Sequence, residues 1–358
     1  MIITDADGIA LVERACDGHA RKNSSSLDME LSPADSASPH RSLPAEMSVS
    51  PESLQESLKP PEPAQQQWIT SADGIQLNVE LHGPQYPATP TVVLLHGWTC
   101  SILSWAPVIR ALRDEIRVVA YDQRGHGASD TPGCDGCSIE ALASDLAAVL
   151  DWALRPGQKA VLAGHSLGGM VVMAVALQDR VLSRTSGALL ASTGASNLFA
   201  EGFYLPFTGS IPPLVALQNW LLRSAIPLGP GLISYLSRML LSYLTLGPDA
   251  PAEARAVNAA IIQACDRRAR GSWGRILASL DVTAGASALD VPTHVLVGTA
   301  DRLTPPVQAS RIARLLPRCE GVTELPGIGH VTPLEAPDVV AELIRKLAAA
   351  SEPGERSS

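Results

Sequence analysis

The stretch "AVLAGHSLGGMVVMAVALQD", residues 160–179, constrains this 358-residue chain most, because its periodicity changes within a single turn. A continuous apolar run, the mark of a strand buried on both faces, leads into Gly164-His165-Ser166-Leu167-Gly168, and an apolar helix follows. A core gains nothing from a hydroxyl held between two glycines at such a junction. The turn is so tight that its serine takes a strained backbone conformation, and side chains two positions either way would collide; Gly164 and Gly168 remove them. Ser166 Oγ then stands clear of the sheet, and the helix N-terminus directs its amides toward any anion beside it. The pattern points to an activated nucleophile.

The remaining sequence supplies a platform for that turn. "WITSADGIQLNVELHG" reads as a hairpin around Asp73-Gly74. "TVVLLHG" (91–97), "IRVVAYD" (116–122), "SGALLAST" (186–193) and "THVLVGTAD" (293–301) read as buried strands, with "GVTELPG" (321–327) a short last one. "SWAPVIRALRDE", "SIEALASDLAAVLDWAL" (138–154), "PVQASRIARLLP" and "APDVVAELIRKLAAA" read as the intervening helices. Such alternation predicts an α/β fold with a doubly wound, mostly parallel sheet, in which function gathers beyond the carboxyl ends of the strands. The rhythm breaks over 197–282, which is helical, apolar on more than one side and interrupted by Pro and Gly. This segment is expected to be a helical cap inserted after the sixth strand, leaving 68–196 and 283–350 as the core and 351–358 as a flexible tail.

Residues 22–67 are rich in Ser, Pro, Glu and Gln, too polar to offset their conformational entropy by burial, so 1–67 is expected to be a disordered extension. One oddity lies within it: "ITDADGIAL" at 3–11 echoes "ITSADGIQL" at 69–77, either by chance or as a duplicated hairpin able to pair with a sheet edge.

A serine needs a base. Of eight histidines, His19 and His40 lie in the extension, His82 and His294 in strands, His96 and His126 in earlier turns, and His165 beside the serine. His330, in "LPGIGHVTP" after the last strand, is placed to reach over the sheet. Asp301 follows a strand between serine and histidine, whereas Asp290 precedes its strand and lies at the wrong end. Asp301 would hold the His330 tautomer and stabilise the imidazolium. The backbone amides of Leu167 and Trp98 are the expected donors to a developing oxyanion. Asp122, Arg124 and His126, in the turn "DQRGHG", read as structural.

The ordered set "HGW" (96–98), "DQRGHGASD" (122–130), "GHSLGG" (164–169), "GTADRLTPP" (298–306) and "GIGH" (327–330) resembles the α/β-hydrolase superfamily, in its serine esterase and lipase-like branch with a helical cap. The resemblance spans 68–350 and implies Ser166, Asp301 and His330 as a triad, with Trp98 and Leu167 as oxyanion-hole amides. Haloalkane dehalogenases and epoxide hydrolases carry an aspartate where this chain has Ser166, and "GHSLGG" departs from the proline iminopeptidase pattern.

His165, Phe203 and Trp220 are the expected pocket residues. The apolar, aromatic insertion suits a small hydrophobic ester, cleaved at a carboxylic ester bond through an acyl-serine. C–C bond hydrolysis, thioester hydrolysis or haloperoxidase-type perhydrolysis would use the same residues, and a ligand receptor with an idle triad is the non-enzymatic alternative. No cofactor or metal is called for. Cys134 and Cys137 form a lone CxxC without the further ligands a zinc site needs, and the six scattered cysteines make no disulfide framework. A net charge of −9 argues against nucleic-acid partners. No signal peptide or membrane span is evident, so the expected location is cytoplasmic, with the helix at 232–246 allowing peripheral membrane contact. The sequence leaves the oligomeric state open.

Overall fold

A computed structural model describes residues 2–4, 10–14, 61–133, 136–202 and 241–350. Its frame is a ten-stranded sheet in the order β1-β2-β10-β9-β8-β7-β5-β6-β4-β3. The strands are β1 (Ile2–Thr4), β2 (Ala10–Arg14), β3 (Gln65–Thr70), β4 (Gln76–His82), β5 (Thr91–Leu95), β6 (Arg117–Tyr121), β7 (Ala160–His165), β8 (Thr185–Ala191), β9 (Thr293–Gly298) and β10 (Cys319–Leu325). From β6 to β10 the central strands are parallel, and antiparallel pairs flank them on both sides.

The central strands are buried along both faces, and alternate side chains serve two cores. Val93, Leu95, Val119, Tyr121 and Leu162 pack with the helices Ile139–Ala153 and Leu167–Ala174. Val92, Leu94, Val118, Ala120 and Val161 face the helices Ala106–Leu112 and Pro337–Ala350. This is why the strands read as unbroken apolar runs, not as alternating ones. Helix Ile139–Ala153 begins where its sequence says it should, with Ser138 Oγ accepting from Ala141 N at 3.1 Å. Parallel strands with helical crossovers bring the C-terminal ends of β5, β7, β9 and β10 to the same edge of the sheet.

The expectation of a wholly disordered 1–67 is corrected at three places. β3 starts at Gln65, and β1 and β2 form an antiparallel hairpin whose second strand pairs with β10, Val322 opposite Arg14 and Glu324 opposite Val12. The echoed motifs therefore occupy the two opposite edges of one sheet. The physical reason is the exposed edge of β10: its unpaired backbone groups accept a strand wherever sequence alternation and an Asp-Gly turn supply one. Cys319, the first residue of β10, is disulfide-bonded. Cys137 is buried, and Cys134 lies outside the described residues.

The insertion leaves the sheet after β8, the sixth strand counted from β3, and returns before β9. Its described parts include the helices Leu198–Glu201, Ala252–Ala264 and Arg267–Leu277. Phe203, Trp220 and most of the helix expected at 232–246 lie outside the described residues. Among the described residues no helix is long and apolar enough to cross a membrane.

Deleting residues 1–20 removes β1 and β2 and bares the β10 edge. The melting temperature is expected to fall by roughly 5 °C, with concentration-dependent self-association by light scattering. An unchanged melting temperature and a monodisperse sample would show that the hairpin covers nothing of consequence.

Candidate active site

Ser166 follows β7 directly and caps the helix Leu167–Ala174 with φ 52° and ψ −116°, a region that non-glycine residues rarely adopt. Tertiary contacts hold it there. Its N–H donates to Ala191 O at 3.0 Å, and its carbonyl accepts from Met170 N at 3.1 Å and from Thr193 Oγ1 at 2.7 Å. A Cβ on Gly168 would approach Leu95 O to 2.2 Å, and one on Gly164 would approach Gly169 N to 2.5 Å. Gly168 lets the serine turn press against the end of β5, and Gly164 lets the turn close on itself.

Asp301 and His330 come together from the ends of β9 and β10, with His330 Nδ1 2.9 Å from Asp301 Oδ2. The carboxylate is buried and surrounded by donors. Oδ1 accepts from the backbone N–H groups of Leu303 and Thr304, each at 2.8 Å, and Oδ2 from Thr304 Oγ1 at 2.8 Å. Thr304 Oγ1 is also 3.2 Å from His330 Nδ1. A carboxylate so held fixes the ring and assigns the proton to Nδ1, leaving Nε2 as the basic nitrogen.

His165, expected in the pocket wall, ties two loops together. Its ring is buried beside Ser166, with Nε2 2.9 Å from the backbone O of His330 and ring centroids 5.0 Å apart. Only an N–H can serve that carbonyl, so Nε2 carries the proton. Burial holds this imidazole neutral, at a pKa of about 3. Through it the serine turn is tied to the His330 loop.

The loop after β5 is fixed by two further neutral histidines. His96 donates from Nδ1 to Gly97 O at 2.8 Å and accepts at Nε2 from Gln123 N at 2.9 Å. His126 Nε2 accepts from Thr99 N at 3.2 Å, supporting a residue with φ 62°. Trp98 is half-buried, its Nε1 donating to Arg270 O at 3.1 Å in the helix Arg267–Leu277. Trp98 and Leu167, the expected oxyanion-hole residues, follow the ends of neighbouring strands, β5 and β7. Gly97 separates them: a Cβ there would lie 3.1 Å from Ser166 Cβ.

Asp122 and Arg124 are structural ties. The Asp122 carboxylate accepts from Ile102 N and Ala128 N at 2.9 Å each and from Asn78 Nδ2 at 3.0 Å. Arg124 is fully buried and makes two bonds to Asp145, at 2.7 and 2.6 Å, and two to Asp73, at 2.6 and 3.1 Å. Removing one partner of such a buried pair typically costs about 3–5 kcal/mol.

Thr304 and Glu335 escaped the sequence reading. Thr304 had a signal, since a threonine three residues after an aspartate in a loop suits a local side-chain bond. Glu335 had none: Gly247 is 88 positions away, and Gly329, though near in sequence, meets it only through the fold of the His330 loop.

The model of the alpha/beta hydrolase family matches residues 92–343. The chain belongs to that family. A solved thermophilic esterase from Thermogutta terrifontis is similar at 28% identity and a TM-score of 0.63, covering 80% of this chain and 99% of that one. A 3-oxoadipate enol-lactonase of Acinetobacter baylyi is 26% identical over 238 residues, 66% of this chain and 80% of that one. A bifunctional esterase/perhydrolase of Acinetobacter calcoaceticus is 38% identical over 103 residues, 28% of this chain. The chain spans about a third of that relative's length, 36%, and 37% and 50% of two others.

Burial holds three imidazoles neutral in the folded chain, His96 at about 4 and His126 and His165 at about 3, against 6.5 for a free ring. Between 6.5 and about 4 the unfolded chain binds more protons, so stability falls as pH drops through that window. Asp122 and Asp145, pushed up by burial, act in the opposite sense. His126→Gln therefore isolates the histidine contribution: thermal melts from pH 7 to 5 should show a lower melting temperature at neutral pH and a shallower acid slope. An unaltered slope would mean that His126 is not held neutral.

Proposed function

We propose that this alpha/beta hydrolase cleaves carboxylic esters with an apolar acyl or alcohol part through an acyl-Ser166 intermediate. The observation that carries the reading is the contact of His330 Nδ1 with Asp301 Oδ2 at 2.9 Å, at the same sheet edge as a serine forced to φ 52°. His330 Nε2 takes the Ser166 proton, and the alkoxide adds to the substrate carbonyl. The backbone N–H groups of Trp98 and Leu167 receive the oxyanion. Collapse of the tetrahedral species expels the alcohol, which takes the proton from His330. Water, deprotonated by the same imidazole, then releases the acid. Asp301 stays ionised and stabilises the imidazolium at each stage. The substrate class rests on the apolar, aromatic sequence of the insertion, proposed as a roof over the site.

A second outcome of the same intermediate is favoured by one observation, the likeness to a bifunctional esterase/perhydrolase. Hydrogen peroxide attacking the acyl-enzyme in place of water would release a peracid, with no change in oxidation at the protein.

A fluorophosphonate probe should label the wild type at Ser166, and Ser166→Ala should abolish labelling. With p-nitrophenyl esters of increasing chain length, kcat/KM should rise toward longer acyl groups, and Ser166→Ala should lower kcat by about 10⁴-fold or more. A flat, near-zero response across all lengths would reject the ester reading, and an unlabelled wild type would favour a receptor.

A further inference from the structure

Within the insertion, residues 245–247 lie directly against the loop carrying His330. His330 N and Val331 N donate to Thr245 O at 2.9 and 3.2 Å. The two backbones touch: a Cβ on Gly329 would lie 2.3 Å from Gly247 N, and one on Gly247 would lie 2.1 Å from Gly327 O. One carboxylate closes this junction. Glu335, at the end of the short helix Thr332–Glu335, accepts at Oε2 from Gly247 N at 2.7 Å and from Gly329 N at 3.1 Å. Its Oε1 is buried and has no hydrogen-bond partner among the described residues. An acid used only as a tie would not need that second oxygen or its charge, since a neutral amide can accept with one oxygen.

We propose that Glu335 is a positioning residue that clamps the His330 loop to residues 245–247 and places a second negative charge behind the imidazole. The inference rests on the hydrolase reading above for its catalytic consequence, though not for its electrostatic one. Among the described residues, the groups facing His330 are few. Asp301 contacts Nδ1, and Thr304 supports both. His165 lies alongside, its ring tilted 53° to that of His330, and is neutral. The nearby Arg302 is turned toward the carbonyls of Tyr243 and Leu246, at 2.7 and 3.3 Å, with its guanidinium 4.1 Å from the Tyr243 ring centroid. Burial holds the Glu335 carboxyl above its ordinary value, against the smaller downward pull of the backbone donors and the protonated His330 ring. An ionised Glu335 therefore favours imidazolium, the species formed each time the base takes a proton.

Glu335→Gln keeps the size and one accepting oxygen but removes the charge. In histidine-labelled protein followed by NMR, the His330 titration midpoint should move to lower pH by about one unit relative to the wild type. The acid limb of kcat/KM should move the same way. Glu335→Asp keeps the charge on a shorter arm, so its midpoint should stay near that of the wild type while the melting temperature falls. A midpoint unchanged in Glu335→Gln, or displaced equally in both variants, would overturn the proposal. Because the NMR titration needs no turnover, an inactive wild type with a displaced Glu335→Gln midpoint would sink the hydrolase reading and leave the charge assignment standing.

Discussion

One backbone conformation governs this molecule. Ser166 must stand at φ 52° between the end of β7 and the helix that follows, and that geometry persists only if the neighbours leave room and supply partners. Room comes from Gly168 against the Leu95 backbone and from Gly164 against the turn itself. Partners come from Ala191, Met170 and Thr193, which saturate the serine's backbone groups. A strained residue of this kind costs about 1–3 kcal/mol, and the surrounding buried sheet offsets that cost.

The polar groups around the strand ends follow from the same crowding. A sheet edge this deeply buried cannot leave donors or acceptors to water, so it uses neutral imidazoles and fixed ion pairs. His96, His126 and His165 each join two loops through one donating and one accepting or unprotonated nitrogen, and burial keeps all three uncharged. Arg124 is the buried counterpart on the charged side, balanced by Asp145 and Asp73. His330 differs from the other three because it alone faces a carboxylate at hydrogen-bond distance through Nδ1. In the proposed mechanism the same residue type serves as framework in one place and as base in another, and the neighbouring acid makes the difference.

Much of this was legible in the sequence. Buried parallel strands announce themselves as unbroken apolar runs, and the Ser166 turn could be recognised because strand, turn and helix are contiguous. Asp301 and His330 were accessible by order and position, each following a strand at the correct end. What stayed hidden depended on contacts between distant segments. The β1–β2 hairpin was visible only as an echo of residues 69–77, since nothing local says that a polar, low-complexity neighbourhood contains a strand destined for β10. The bond of His165 to the His330 carbonyl spans 165 positions and left no local trace. Glu335 reads as an ordinary helix-terminal acid until residues 247 and 329 are seen to meet on it.

Cooperation between the alcohol and the imidazole is the claim on which the account stands, and paired substitutions test it most directly. Hydrolysis of a p-nitrophenyl ester would be measured in Ser166→Ala, in His330→Ala and in the double variant. Groups that act as one unit fail together, so the double variant should lose no more kcat than the worse of the two singles. Losses that multiply would show two independent contributions, and the triad assignment would be wrong.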